Sequence, residues 1–168
     1  MNQFAQLRLH PVRHLIEQRR GGTGVRQLTN DIHRDRGLIW SPDSKKLAFF
    51  SDRSGTYECW TINADGTDLK QITFDGEPYG GFCFWSPDGK QILQNGFSTD
   101  PRIFSAEKPF GEQTPFKMPA FYEGGDYLQA TSWSPDGDKI AGWRVSKISG
   151  QMGVAFYSLR EQQYKSGY

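Results

Sequence analysis

The sequence is poor in the residues that build metal sites and disulfide frameworks, with two cysteines, three histidines and three methionines. Two cysteines are too few for a disulfide framework, and Cys59 and Cys83 are not spaced as zinc ligands. Both lie in apolar, aromatic segments, "YECWTI" and "GFCFW". This setting favours buried, reduced thiols. One disulfide between the two cysteines is the less favoured alternative.

The chain also lacks a long hydrophobic run and a strong charge of one sign. No apolar segment approaches about 20 residues, so no transmembrane helix is predicted. The N-terminus has no uninterrupted apolar core and no small-residue cleavage site, so no secretory signal is predicted either. The net charge is +1, which gives no reason to expect nucleic acid or a membrane surface as a partner.

The charge is nevertheless unevenly distributed along the chain. Residues 1–30 contain five arginines and one glutamate, which leaves the rest of the chain at −3. A basic N-terminal segment over residues 1–23, irregular or helical and solvated, is favoured over an anion-binding surface. His10, His14 and Glu17 would share one face of such a helix, but Pro11 interrupts it and no zinc motif is present.

Aromatic residues, glycine and proline are plentiful, as expected for many short strands joined by tight turns. The segment "WSPDS" begins at Trp40, and "WSPDG" begins at Trp85 and Trp133, so the three copies lie 45 and 48 residues apart. The ten residues from each tryptophan align without a gap. A period of about 40–50 residues with several short strands per unit is typical of a propeller blade.

The sequence therefore predicts an all-β fold, a β-propeller of four-stranded antiparallel blades. In the first unit the strands are "GLIW", "KLAFFS", "YECWTI" and "LKQITF". Three clear blades are predicted over residues 31–75, 76–118 and 119–168. An orphan outer strand over residues 24–30 precedes them, which makes the propeller partial or irregular.

Each repeated segment combines one packing residue with one turn. Ser-Pro-Asp-Gly is a tight-turn sequence, in which proline presets φ at the second position and glycine closes the turn. The preceding tryptophan provides a large surface for contact between neighbouring blades. The predicted role of the signature residues is thus structural; they are Trp40, Pro42, Asp43, Trp85, Pro87, Asp88, Gly89, Trp133, Pro135, Asp136 and Gly137. Ser44 replaces the glycine in the first copy, a departure that a type I turn tolerates.

These segments resemble the TolB-type branch of the WD-like β-propeller repeats. The first unit carries every part of that pattern, in "WSPDSKKLAFFSDRSG" and "WTINADGTDLKQITFDGE". The other two keep the opening but lose the "SDR" and "ADGT" turns. The resemblance covers about residues 20–168 and implies the fold. It also implies a periplasmic location, because relatives include a periplasmic protein of the Tol envelope system, whereas this sequence shows no signal peptide.

Three repeats are fewer than the four to eight blades of closed propellers. The favoured explanation is a piece of a longer propeller. The alternatives are an irregular fourth blade formed by residues 1–30, and association of chains to close the ring. An open end would leave strand edges and an aromatic face uncovered, which predicts self-association.

No catalytic set and no metal or cofactor site is predicted. The serine-hydrolase motif Gly-x-Ser-x-Gly does not occur. The segment "NADGTD" offers Asn63, Asp65 and Asp68 as calcium ligands, but it lacks the bidentate glutamate of a calcium loop. A hairpin turn requires asparagine, aspartate and glycine at these places in any case.

Protein binding is the remaining function, because propeller loops gather at the two rims. The segment "KMPAFYEGGDY" mixes aromatic and acidic residues as interface cores do; its candidate residues are Phe121, Tyr122, Glu123, Asp126 and Tyr127. Packing under a long loop explains this segment equally well. We expect a non-enzymatic scaffold that binds protein partners. The alternative is the sensory or substrate-gating propeller of a larger enzyme, such as a serine peptidase or a receptor-like kinase.

Overall fold

In the computed structural model the described residues are 6–9, 15–18, 26–74, 81–96, 100–121, 126–146, 148–150 and 152–166, with side chains from residue 26 onward. These residues form β-strands and one short 3₁₀ helix, Phe110–Glu112, and contain no α-helix. The strands are arranged as four antiparallel sheets. Within the same residues, no helix has the length and hydropathy that crossing a bilayer requires.

The first sheet, which we call the N-terminal sheet, has three strands in the order β1-β2-β3. They are β1 (Gln6–Leu9), β2 (Leu15–Gln18) and β3 (Arg26–Gln27). The expectation of an irregular or helical segment over residues 1–23 is therefore wrong for β1 and β2. The sequence "QLRL" alternates polar and apolar residues with the period of a strand, and pairing with a second strand satisfies its backbone groups.

The other three sheets have four strands each and lie within the three predicted blade ranges. Blade 1 contains β4 (Asp35–Trp40), β5 (Lys46–Ser51), β6 (Glu58–Asn63) and β7 (Lys70–Gln71). Blade 2 contains β8 (Gly81–Trp85), β9 (Gln91–Gly96), β10 (Arg102–Ser105) and β11 (Phe116–Lys117). Blade 3 contains β12 (Tyr127–Trp133), β13 (Lys139–Val145), β14 (Met152–Ser158) and β15 (Gln163–Ser166). Each sheet follows chain order from its first strand to its fourth.

The core lies between the sheets because successive strand residues point to opposite faces. On β5, Leu47 and Phe49 belong to one buried cluster, whereas Ala48 and Phe50 belong to another that includes Trp85 and Ile92 of blade 2. A third cluster joins blades 2 and 3. Trp85 belongs to the cluster between blades 1 and 2, and its indole N–H donates to the Ile39 carbonyl across the blade interface at 3.3 Å. Trp133 packs against the cluster between blades 2 and 3, and Trp40 packs against the cluster of Leu47 and Phe49.

Cys59 and Cys83 form a disulfide between blades 1 and 2, so the expectation of reduced thiols is wrong. Cys59 pairs with Phe50 on the face of blade 1 that contacts blade 2. Cys83 lies on the facing side of blade 2, and the two Cα atoms are 6.2 Å apart. Local sequence context indicated burial correctly, but only the packing of the blades brings the sulfurs together.

Arg53, the arginine of the "SDR" turn, is the centre of a polar network at the end of blade 1 where β5 turns into β6. Its guanidinium donates to Asp35 Oδ1 at 2.8 Å and to Asp31 Oδ2 at 3.2 Å. Asp35 also accepts a hydrogen bond from the Thr29 hydroxyl at 2.8 Å. The side chains of Arg53 and Asp35 are 7% and 0% exposed. The network therefore connects the chain leaving the N-terminal sheet to the first strand of blade 1.

The first repeated turn contains a strained residue that the sequence interpretation treated as neutral. Ser44 has φ of 61°, while Gly89 and Gly137, its equivalents, have 71° and 75°. A side chain in this left-handed region costs about 1–2 kcal/mol, of which the greater chain entropy of an unfolded glycine offsets roughly half.

We therefore expect Ser44→Gly to raise the free energy of unfolding by about 0.5–1 kcal/mol, measured by urea denaturation. Gly89→Ser is the matched control and should lower it by a similar amount. A Cβ at Gly89 would contact only Pro42, at 3.7 Å, so the effect is conformational rather than steric. If both substitutions raise the free energy of unfolding, or both lower it, this explanation is contradicted.

Candidate functional site at the rim of the repeated turns

The three repeated turns, residues 41–44, 86–89 and 134–137, are built in the same way and are here called the SPD turns. In the second one, the Gly89 amide donates to the Ser86 carbonyl at 2.9 Å and closes the turn. The Ser86 hydroxyl donates to Asp88 Oδ1 at 2.6 Å and accepts from the Gln91 amide at 2.9 Å. The other two turns repeat these contacts. Each turn is thus held rigidly by its own serine and aspartate.

The aspartates of the SPD turns are ionised at neutral pH. In Asp43 and Asp88, the hydrogen bond from the turn serine lowers the pKa of the carboxyl group, and the amide of Lys45 or Lys90 lowers it further. Asp136 has a lowered pKa from the equivalent contacts, with Ser134 as the larger cause. In each case the hydrogen bonds involve Oδ1, and the carboxylate lies at the protein surface.

Two grooves lie between consecutive SPD turns, and we call this end of the molecule the SPD rim. The first groove, between blades 1 and 2, has a volume of about 670 Å³. The second, between blades 2 and 3, has a volume of about 370 Å³. Pro87 and Asp88 line both grooves. The first groove is also lined by three lysines and two further acids; these residues are Lys46, Lys70, Lys90, Asp43 and Glu107.

Two of the three lysines in the first groove are held by neighbouring groups. The Lys46 ammonium donates to Asp68 Oδ2 at 3.0 Å, and the Lys70 ammonium donates to the Glu107 carbonyl at 3.2 Å. Lys90 is exposed beside Asp88. The sequence interpretation missed these cations, although a lysine follows each SPD turn within two residues. That signal could have identified the rim as a charged surface.

The predicted binding segment is described only in part, since Tyr122 and Glu123 lie outside the described residues. Phe121 is buried against the Tyr164 ring, with the ring centres 4.5 Å apart. Asp126 is buried and accepts two hydrogen bonds from Arg144, at 2.9 and 2.7 Å. Tyr127 is half-buried and begins β12. The described part of this segment thus packs against blade 3, and its role in binding stays a prediction.

The three residues that could serve as calcium ligands, Asn63, Asp65 and Asp68, make other contacts. Asp65 Oδ1 accepts hydrogen bonds from the amide and hydroxyl of Thr67, at 2.9 and 2.5 Å. The Asn63 amide donates to the same hydroxyl, and Asp68 pairs with Lys46. The structure describes Glu17 within β2, while His10 and His14 lie outside the described residues. Among the side chains that are described, no three His, Cys, Asp or Glu residues are grouped as metal ligands.

Comparison with known proteins identifies the architecture. No family model matches the chain. An uncharacterised protein of Agrobacterium fabrum is 27% identical over 123 residues, which cover 68% of this chain and 41% of that protein. An uncharacterised peptidase of Bacillus subtilis is 41% identical over 67 residues, 39% of this chain and 10% of the peptidase. The crystal structure of TolB from Acinetobacter baumannii matches 96% of this chain and 39% of its own, with a TM-score of 0.71 and 20% identity.

The chain has a TolB-type β-propeller fold. Propeller enzymes share it: an oligogalacturonate lyase of Vibrio parahaemolyticus has a TM-score of 0.67 at 13% identity, over 99% of this chain and 47% of its own. A puromycin-hydrolysing peptidase of Mycobacterium tuberculosis has a TM-score of 0.64 at 14% identity, over 91% of this chain and 24% of its own. The chain spans less than half the length of each of these five proteins. The structural similarity therefore establishes the fold and does not establish the activity.

Proposed function

We propose that the chain is a non-enzymatic β-propeller module that binds a protein partner at the SPD rim. The observation that carries this proposal is the pair of adjoining grooves between three rigid, repeated turns. Rigid sheets position these turns, so groups on them bind a partner without the entropic cost of ordering a loop.

The chemistry of the first groove suits a polar protein surface. Asp43, Asp88 and Lys90 are exposed there, next to the apolar surfaces of Pro42 and Pro87. Charges of both signs beside small apolar patches are typical of the rim of a protein interface, where they set specificity and orientation. The partner we infer is a folded protein or an extended segment that carries charges of both signs.

The disulfide supports a location in the bacterial cell envelope. Disulfides persist in oxidising compartments such as the periplasm and are rare in the reducing cytosol. Cys59 and Cys83 are both buried, as expected for a structural bond rather than a reactive one. This agrees with the periplasmic location that the resemblance to TolB-type repeats implies.

Site-specific photo-crosslinking tests the binding surface. A photoreactive residue at position 90 lies in the first groove, whereas one at Ser54 lies in the turn between β5 and β6, at the opposite rim. We expect position 90, and not position 54, to form a discrete adduct with a protein of the bacterial envelope. Asp88→Lys should weaken that adduct. Equal adducts at both positions, or none at position 90, would contradict binding at the SPD rim.

A second candidate function is the propeller portion of a larger enzyme. The observation that favours it is the 41% identity to part of a Bacillus subtilis peptidase. The reading frame on both sides of codons 1 and 168 distinguishes the two functions, because a hydrolase or kinase domain in the same frame would replace the scaffold proposal. Turnover of a chromogenic peptide or of oligogalacturonate by the purified chain would also contradict a non-enzymatic role.

A further inference from the structure

The second groove at the SPD rim repeats the lining of the first groove with one exchange of residue type. Every described residue that lines the second groove has an equivalent, at the same repeat position, that lines the first. Serine, proline, aspartate, tryptophan and glycine recur at these positions. The exception is Gln91 in the second groove, which occupies the position of Lys46 in the first. The molecule therefore contains two versions of one groove that differ in charge.

The lysines of the first groove have no counterpart in the described lining of the second. Three lysines line the first groove, whereas no lysine or arginine is among the described residues that line the second. Lys90 directly follows the second SPD turn, but Asp138 directly follows the third. The charged residues of the second groove are therefore two acids, Asp88 and Asp136.

Trp133 adds an aromatic surface to the second groove. Its equivalent in the first groove, Trp85, is 7% exposed, and the Trp85 indole N–H is hydrogen-bonded to the Ile39 carbonyl. Trp133 is half-buried, and its indole N–H has no hydrogen-bond partner among the described residues. Cations are attracted to the face of an indole ring, and tryptophan is the best of the aromatic side chains for this contact.

The two aspartates give the second groove a negative charge at neutral pH. Hydrogen bonds from the turn serines lower the pKa of Asp88 and of Asp136, and these bonds use the Oδ1 atoms. Two cations lie beside this groove without lining it. The Lys139 ammonium is shared between Asp136 Oδ2 at 3.7 Å and Asp138 Oδ2 at 3.4 Å, and Lys90 lines the first groove. The charge of the second groove thus suits a cationic ligand.

We propose that the second groove binds one cationic side chain, lysine or arginine, of an extended segment of the protein partner. This inference rests on the proposed binding of a protein at the SPD rim and specifies what the second groove recognises. The cation lies between the carboxylates of Asp88 and Asp136 and against the Trp133 ring. The groove volume of about 370 Å³ is at the small end of ligand pockets, which favours one inserted side chain over a larger ligand.

Titration with a capped tripeptide, followed by NMR of the isotope-labelled chain, tests the proposal. The probe is acetyl-Gly-Arg-Gly-amide, and the control ligand is its neutral isostere with citrulline in place of arginine. The indole N–H resonance of Trp133 reports on the second groove and that of Trp85 on the first. We expect the arginine peptide to shift the Trp133 resonance with a dissociation constant in the millimolar range. The citrulline peptide should leave it in place.

Four substitutions at the surface test which charges are responsible. Gln91→Lys gives the second groove the lysine of the first, and Asp136→Asn removes a charge but keeps the Oδ1 acceptor of the turn. Each should raise the dissociation constant about two- to fivefold, the effect of one exposed ion pair. Lys139→Gln removes a competing cation and should lower it. Asp43→Asn is the matched control, because Asp43 lines only the first groove and its side chain is 58% exposed, against 57% for Asp136.

Each variant is first compared with the unmodified chain by its melting transition. Equal shifts of the Trp133 resonance with both peptides, or no shift with either, would overturn the proposal. So would a dissociation constant that Gln91→Lys and Asp136→Asn leave unchanged. A cross-link at position 90 without an arginine-dependent shift at Trp133 overturns the cationic side chain and leaves partner binding at the SPD rim intact. An arginine-dependent shift without any cross-link overturns the protein partner instead, so the two proposals fail distinguishably.

Discussion

Replacing both cysteines with alanine will lower the free energy of unfolding by about 3 kcal/mol, the effect expected when a disulfide closing a loop of this size is removed. The bond joins residues 24 positions apart and connects blade 1 to blade 2. It restricts the unfolded chain, and its loss also removes buried contacts between the blades. Urea denaturation of the oxidised chain and of the Cys59→Ala/Cys83→Ala variant measures the difference.

Reduction of the unmodified chain provides the control for this result. After unfolding with a thiol reductant, the chain should refold with a stability close to that of the double alanine variant. Without reductant, thiol titration of the unfolded chain should detect no thiols, because both cysteines are in the bond. Two titratable thiols in the oxidised preparation, or an unchanged midpoint for the double variant, would contradict the disulfide's stabilising role.

The second large effect is expected for Arg53→Met, which should lower the free energy of unfolding by about 3–5 kcal/mol, as breaking a buried ion pair does. The substitution leaves the Asp35 carboxylate buried with one hydrogen bond from Thr29 and without its cationic partner. It also removes a guanidinium that lies 5.6 Å from the Phe49 ring centre and 5.3 Å from that of Trp60.

Arg34→Met is the matched control for Arg53→Met. Arg34 forms a more exposed ion pair with Asp52, at 3.9 Å, so its loss should cost about 1 kcal/mol or less. The double variant Arg53→Met/Asp35→Asn should recover part of the loss, because the buried charge without its partner is then removed. Equal effects for the two arginine substitutions would show that burial of the Asp35 pair is not what stabilises this end of blade 1.

Much of the fold could be predicted from the sequence because the features that define each blade are local in the repeat. Each copy contains a packing tryptophan, a turn and a strand with alternating apolar residues within about a dozen residues. Turns and strand alternation depend on residues that are close in sequence. In the N-terminal sheet, β3 lies within the predicted outer strand over residues 24–30, and the sheet agrees with the alternative of an irregular fourth blade over residues 1–30. The favoured interpretation did not include β1 and β2, because "QLRL" and "LIEQ" are short, lie in an arginine-rich segment and carry no signature turn. Their pairing with each other, rather than their composition, decides their structure.

The candidate site was only partly predictable because it depends on how neighbouring blades pack. The SPD turns were identified as structural elements, but the grooves between them exist only because consecutive blades place those turns side by side. The aromatic segment around Phe121 carried an interface-like composition, and its described residues pack against Tyr164 and Arg144. Composition alone does not distinguish a buried aromatic residue from one that contacts a partner.

The sequence by itself determined the all-β propeller class, the three blade ranges and the turns that connect the first two strands of each blade. The tertiary structure alone decided the partners of each strand face. It joined Cys59 to Cys83, buried Asp35 beside Arg53, and covered Phe50 and Asn95. The physical reason is range: turns and strand alternation depend on neighbours in sequence, whereas disulfides, buried ion pairs and covered faces depend on residues that only folding brings together.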